Sequence, residues 1–323
     1  MTKDDVLALL EQADAPVSGE QMCKTLGLTR AAVWKAIEAL RADGYEIEAA
    51  TRRGYFLCTC PLTKSALEKR LAGQFPTEKL IVLPEVDSTN NYLKTLAANG
   101  APDGTAVLSL KQTAGRGRRG RSFLSEPGGL YLSFLMRPQE PAEALLHLTA
   151  LAGLCVCTAV KQVTGMQAGI KWPNDIIMSG KKVCGILTEM SAQFDYVNHI
   201  VVGIGINVQN KTFPKDIESV ATSLFIETKE HYHRAELVER IWEAFEHYYE
   251  IFLQTEDLSG LVNEYNSHLV NMHQQVKVLD PKEPFEGKAM GITPKGELIV
   301  DTWESRKLVS TGEVSVRGIY GYV

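Results

Sequence analysis

The segment Gly115-Arg116-Gly117-Arg118-Arg119-Gly120-Arg121 constrains this chain more than any other. Four neighbouring guanidinium groups repel one another and cannot share an apolar interior, while three interspersed glycines favour a loop over a helix or strand. The glycines let the backbone approach an anion closely, and the arginines offer forked donors that neutralise it. An anionic ligand is therefore expected. The spacing is also G-x-G-x-x-G, the dinucleotide-binding pattern, which requires a helix directly after the loop. Here Ser122 to Gly129 (SFLSEPGG) follows, and its proline and two glycines oppose a helix. A doubly wound dinucleotide fold is disfavoured.

The length of 323 residues suggests two or three folding units, and an apolar fraction of 45% allows sizeable cores. Lysine and arginine total 34 against 39 acids, a formal charge of −5, so any nucleic-acid contact must come from a local patch. Met1 to Glu11 places two acids ahead of a short apolar stretch, which does not read as a leader and predicts a cytoplasmic protein. The run Leu145 to Val160 contains His147 and two threonines and is shorter than the ~20 residues of a membrane span. It reads as a buried helix, with no membrane partner. Cys58/Cys60 and Cys155/Cys157 are spaced for neither zinc nor thioredoxin chemistry, so the cysteines are expected to be reduced structural thiols.

The first sixty residues carry a helical grammar. Val6, Leu7, Leu9 and Leu10 suggest one helix; Ser18, three residues before Gln21, forms a capping-box start for a second that stops at Gly27. Thr29 is positioned to cap a third helix with Val33, Ala36, Ile37 and Leu40 on one face. A strand at Tyr45 to Ala49, a turn at Thr51 to Gly54 and a return at Tyr55 to Leu57 complete a winged helix-turn-helix. In a DNA-binding reading Thr29, Arg30, Lys35, Arg52 and Arg53 face phosphates, and Trp34 meets a base methyl or a sugar. The alternative is a protein-interaction module, since the segment carries 7 basic and 9 acidic side chains.

From Leu62 to about residue 270, apolar strands alternate with helical stretches in the manner of one mixed α/β domain. Candidate strands are Leu80–Leu83, Thr105–Leu110, Leu130–Met136, Val183–Glu189 and Ile200–Val208; candidate helices are Lys64–Leu71, Thr89–Ala98, Ala142–Thr164 and Arg234–Gln254. Asp87-Ser88-Thr89-Asn90-Asn91 opens a helix with groups that can cap it or grip a polar ligand. Lys171-Trp172-Pro173-Asn174-Asp175 gathers a cation, an amide and a carboxylate at a turn between strands, and Lys182 stands at the mouth of the strand that follows Gly180. His231 and His233 read as surface or capping residues at the start of an amphipathic helix, with a metal pair as the alternative. Val276–Leu279, Lys288–Ile292, Leu298–Val300 and Val314–Val316 are short strands.

Six motifs in this order resemble the biotin protein ligases, in particular the bifunctional type that carries an N-terminal winged helix and represses biotin genes. They are DSTN (Asp87 to Asn90), GRGRRGR (Gly115 to Arg121), KWPND (Lys171 to Asp175), GKKVCGIL (Gly180 to Leu187), GIGINV (Gly203 to Val208) and GEVSVRG (Gly312 to Gly318). One departure is Phe123, where the family usually has tryptophan.

The resemblance implies an α+β multidomain chain. It comprises a winged helix over residues 1–62, a central mixed-sheet, class II synthetase-like ligase domain over 63–270, and an SH3-like small barrel over 271–323. It implies biotin and Mg-ATP as ligands, and two steps: formation of biotinyl-adenylate, then acyl transfer to a lysine of biotin carboxyl carrier protein. Catalysis falls to Lys182, Arg118 and Asp175, the last orienting or deprotonating the acceptor lysine. Biotin contacts are implied for Ser88, Thr89, Asn90, Gln112, Arg116, Gly117, Arg118 and Lys182. ATP or adenylate contacts are implied for Arg116, Arg118, Arg119, Arg121, Phe123, Lys171, Asn174, Asn207 and Arg317. Magnesium arrives with ATP, near Asn207, rather than on a set of protein ligands. Operator DNA and a second copy of the chain, recruited by the adenylate, are the further partners. Two other readings stand beside this one: a non-catalytic ligand-sensing transcription factor, and a lipoate-type ligase with a protein-binding helical module.

Overall fold

A computed structural model describes the chain except for residues 1, 12, 14–15, 44, 51–52, 60–61, 138–143, 194–195, 281–282, 311–314 and 319–323. The N-terminal unit contains α1 (Thr2–Glu11), α2 (Gly19–Leu26), α3 (Arg30–Ala42), β1 (Glu46–Ala50) and β2 (Gly54–Thr59). Its capping follows the local sequence. Ser18 Oγ accepts from Gln21 N, Gly27 closes α2 in the left-handed region, and Thr29 Oγ1 accepts from Ala32 N at the start of α3. Val6, Leu10, Val17, Met22, Val33, Ala36, Ile37, Leu40, Ile47 and Leu57 form a core of their own. Val17 pairs with Tyr55 beside the β1–β2 hairpin. A Cβ at Gly54 would stand 2.1 Å from Val17 O, so close backbone approach explains the glycine at the wing.

The central elements are α4 (Lys64–Arg70), β3 (Leu80–Leu83), α5 (Thr89–Ala98), β4 (Ala106–Ser109), β5 (Leu130–Met136), α6 (Ala144–Thr164), β6 (Gly169–Lys171), β7 (Asp175–Met178), β8 (Lys181–Gln193), β9 (Tyr196–Ile206), α7 (Leu224–Thr228), α8 (Arg234–Thr255) and α9 (Val262–His268). Seven strands form one mixed sheet in the order β3-β4-β5-β9-β8-β7-β6, parallel at β3–β4 and antiparallel elsewhere. Period-two alternation divides its side chains between two layers. Leu130, Leu132, Cys184, Ile186, Ile204 and Ile206 join the α6 and α8 core, whereas Leu135 and Val201 pack with Leu93 and Ala97 of α5 on the opposite face.

Helix α6 is 21 residues long, and its Leu146–Thr164 part reaches the length and apolarity of a membrane span. It falls within the expected helix Ala142–Thr164, and its buried Leu151, Leu154, Val156 and Ala159 place it in the protein core. Cys155, Cys157 and Cys184 are free and buried, and burial pushes all three thiols up, which makes them poor nucleophiles. Cys60 lies outside the described residues, as does the side chain of Cys58.

The C-terminal strands are β10 (Gln275–Leu279), β11 (Phe285–Ile292), β12 (Leu298–Asp301), β13 (Arg306–Val309) and β14 (Ser315–Gly318). They form an antiparallel sheet in the order β13-β12-β11-β10-β14, consistent with the expected small barrel although its described strands do not close. Val276, Val278, Ala289 and Val300 belong to the same continuous core as the central domain. Trp172 of the KWPND turn is buried there and donates its indole N–H to Gly296 O at 3.0 Å.

Candidate functional site

The site lies on the α5 face of the sheet, where the strands carry small or polar residues in place of the apolar ones on the other face. Gly185 and Leu187 on β8 stand opposite Gly205 and Gly203 on β9. These glycines make room. A Cβ at Gly203 would lie 2.1 Å from Asn90 Oδ1, and one at Gly205 would lie 2.7 Å from the Phe123 ring. A Cβ at Gly185 would lie 3.1 Å from that ring and 3.0 Å from Lys182 Nζ.

Two cavities meet at Phe123. The first is lined by Ser88, Thr89, Asn90, Gln112, Arg116, Phe123, Gly185, Leu187, Gly203, Ile204 and Gly205. Its polar end is a network. Ser133 Oγ lies within hydrogen-bond range of both Thr89 Oγ1 (2.7 Å) and Asn90 Oδ1 (2.6 Å), with its single hydrogen to share between them. Gln112 Oε1 accepts from Thr89 N and Oγ1, while its amide donates to Ser125 Oγ at 2.8 Å. Both Asn90 N–H groups are taken, by Leu187 O and Glu189 Oε2, so Asn90 forms the wall and has no amide hydrogen left to donate. The second cavity is lined by Ser122, Phe123, Leu124, Lys182, Asn207, Phe213, Ile217, Val220 and Ala221.

The arginine loop is a narrow hairpin. Arg116 bridges to Ser122, Gly117 N donates to Arg121 O, and Arg119 (φ 59°) and Gly120 (φ 72°) turn the chain in the left-handed region. No helix follows it: the chain runs to β5, which removes the dinucleotide reading. Arg116 pairs with Glu189 Oε1 at 2.9 Å and donates to Asn91 Oδ1 at 2.9 Å. Arg118 donates to Asn174 Oδ1 at 3.1 Å; burial lowers its basicity and the nearby Asp175 carboxylate opposes that effect. Arg119 and Arg121 are exposed.

Lys182 Nζ lies 2.5 Å from Asp175 Oδ1 and 5.8 Å from the Phe123 ring centroid. Asp175 is thus engaged by Lys182 rather than standing ready for an acceptor lysine. Lys171 is buried and lines neither cavity, and Asn174, with its amide on Ile186 O, positions Arg118 without lining either one. Asn207 reaches the second cavity and donates its amide to Thr222 O at 2.9 Å. Arg317 is placed on β14 by its backbone, but its side chain lies outside the described residues.

On the N-terminal unit Thr29, Arg30, Trp34, Lys35 and Arg53 are exposed; Arg52 lies outside the described residues. Arg30 and Trp34 fall one helical turn apart on α3. His231 is neither a surface nor a capping residue: its Nδ1 lies 3.0 Å from Gln209 Oε1, and its Nε2 lies 3.9 Å from Glu48 of β1. His233 occupies the α8 N-cap position without a side-chain capping bond. Among the described residues no group of three His, Cys, Asp or Glu side chains converges to hold a metal ion.

Glu189, Ser125 and Ser133 were missed by sequence reasoning. Glu189 had one usable signal, a carboxylate at the end of the apolar Val183–Leu187 stretch; the two serines had none.

Comparison with known proteins gives this geometry its class. Residues 82–207 match the biotin/lipoate A/B protein ligase family, residues 2–56 a helix-turn-helix domain, and residues 274–317 the biotin protein ligase C-terminal domain. The chain is 37% identical to the bifunctional ligase/repressor BirA of Bacillus subtilis (strain 168), over 97% of this chain and 98% of that protein. It is 29% identical to that of Escherichia coli (strain K12), over 93% and 92%. The solved biotin protein ligase of Aquifex aeolicus in complex with biotin and ATP superposes with a TM-score of 0.67 at 35% identity, covering 74% of this chain and 98% of that one. The chain belongs to the family of bifunctional biotin ligase/repressors.

Proposed function

We propose that this chain is an ATP-dependent biotin–protein ligase that also represses transcription from DNA bound by its winged helix. The observation that carries the reading is the pair of cavities joined at Phe123, one ending in neutral donors and acceptors, the other opening on Lys182 and Asn207. A neutral bicyclic ring suits the first and a nucleotide the second. Their junction is where an acyl phosphate would form.

In the first step a carboxylate oxygen of biotin attacks the α-phosphorus of ATP and pyrophosphate leaves. Two anions must approach, so preplaced cations lower the barrier. Lys182 and Arg118 supply them, with Asn174 holding Arg118. Ser88, Thr89, Gln112, Arg116 and Gly117 bound the biotin ring; Arg119, Arg121, Phe123 and Asn207 border the nucleotide. In the second step a carrier-protein lysine amine attacks the acyl carbon and AMP leaves. Asp175 takes part there only after Lys182 turns from it to substrate. The donor set around Asn207 does not make a protein cage for magnesium, so the ion comes with ATP.

For repression, Arg30, Lys35 and Arg53 face phosphates, with Trp34 at a base or sugar. The adenylate favours a dimer that spans two half-sites. Biotin-dependent ATP–pyrophosphate exchange tests the reading. Exchange with biotin is expected; exchange with lipoate alone, or none, sinks it. Adding biotin and ATP is also expected to tighten DNA binding.

A further inference from the structure

We propose that Glu189 is a positioning residue that sets Arg116 and Asn90 at the polar end of the first cavity, and so governs affinity for the acyl acid but not for ATP. This rests on the ligase reading above. Glu189 stands on β8, two residues beyond Leu187 and on the same face, so it projects toward α5 at the edge of the cavity.

Its carboxylate gathers three donors from two distant segments. Oε2 accepts from Asn90 Nδ2 at 2.9 Å, while Oε1 lies 3.0 Å from Lys94 Nζ and 2.9 Å from Arg116. The side chain is 19% exposed, and a carboxylate withdrawn from water that far is stable only when paired. Burial acts to raise its pKa, yet the Asn90 amide, Lys94 and Arg116 together hold it below the ordinary glutamate value.

Two of these partners are fixed from a second side. Asn90 also donates to Leu187 O and receives Ser133 Oγ, and Arg116 also donates to Asn91 Oδ1. Arg116 is the one charged residue among those lining the first cavity. Its direction therefore sets the electrostatics of that cavity, and Glu189 supplies the opposite charge that fixes the direction. Lys94, by contrast, ties α5 to β8 without reaching the cavity. This asymmetry separates positioning from plain structural support.

The test uses the full-length chain with Glu189→Gln and Lys94→Met, read by biotin-dependent ATP–pyrophosphate exchange and by trypsin cleavage at the arginine loop. Glu189→Gln is expected to raise the KM for biotin about tenfold, with kcat and the KM for ATP changed less than about twofold, and to speed loop cleavage. Lys94→Met is expected to leave the biotin KM and the cleavage rate unchanged. An unchanged biotin KM in Glu189→Gln, or an equal rise in Lys94→Met, overturns the proposal. Should Glu189→Gln not fold, Glu189→Asp keeps the charge and shortens its reach; a biotin KM equal to the parent's then overturns it. A parent chain that exchanges with no biotin at all sinks the ligase reading instead, and the cleavage rates still decide whether Glu189 holds Arg116.

Discussion

The cations of the winged helix and those of the ligase site are held in opposite ways. Arg30 has an acidic neighbour only at 3.9 Å, with both side chains more than four-fifths exposed, and Lys35 and Arg53 are exposed too. In the ligase site Arg116, Lys182 and Arg118 lie 2.9, 2.5 and 3.1 Å from Glu189, Asp175 and Asn174. The difference matches the anions proposed for each. A polyanion with phosphates at many positions is met by mobile side chains that retain their hydration and give it up with counterion release. A single acyl phosphate needs charges placed before it forms, because reorganising them during the reaction would raise the barrier.

Salt offers the largest way to break the comparison. With about four phosphate contacts per copy and two copies bound, raising salt from about 50 to about 200 mM should weaken DNA binding by roughly 10⁴-fold. The KM for biotin should move less than about threefold, because paired and partly buried charges are poorly screened. Fluorescence anisotropy beside the exchange assay measures both, and equal salt slopes would show the two sets of cations to be alike.

Next in size, Lys182→Ala should lower pyrophosphate exchange by about 10² to 10³-fold while DNA affinity without ligands stays within about twofold. A matching loss of DNA binding would mean that Lys182 supports the fold rather than the chemistry.

The smallest effect is the pH dependence of the Glu189 cluster. Its folded-state pKa is lowered, so the pairing contributes stability above the unfolded value of about 4.3 that disappears as pH falls through the lower folded value. Urea unfolding should therefore show a constant gap between the parent and Glu189→Gln from about pH 5 to 7, shrinking toward pH 3. A gap that widens in acid would contradict the assigned direction.

Local signals made the winged helix legible almost residue by residue. Ser18, Gly27 and Thr29 act on backbone groups within three or four positions, and the Val33, Ala36, Ile37 and Leu40 stripe is one helix face. Strands β3 and β5 and helix α5 likewise fall on their expected residues. The long hairpin was read too short: β8 runs Lys181–Gln193 and β9 runs Tyr196–Ile206, because cross-strand pairing extends both past their apolar centres. Strand β13 went unread, since Arg306 and Lys307 obscure its alternation, and short α7 and α9 depend on packing more than propensity. The candidate site was half legible. The motifs located Arg116, Arg118, Lys182 and the Ser88–Asn90 helix start, but Lys171 proved buried away from both cavities and Asp175 proved paired.

The sequence by itself determined the winged helix, the arginine loop and the longer strands and helices of the central domain, because caps, glycines and apolar periodicity act over a few residues. Only the tertiary structure decided which side chains share a cavity. Sheet register brings Gly185 opposite Gly205 and Leu187 opposite Gly203, and alternation puts Glu189 on that same face. Asn90 and Arg116 then meet Glu189 from 99 and 73 positions away in the chain. Pairings over such distances depend on the packing of whole layers, which no short stretch of residues encodes.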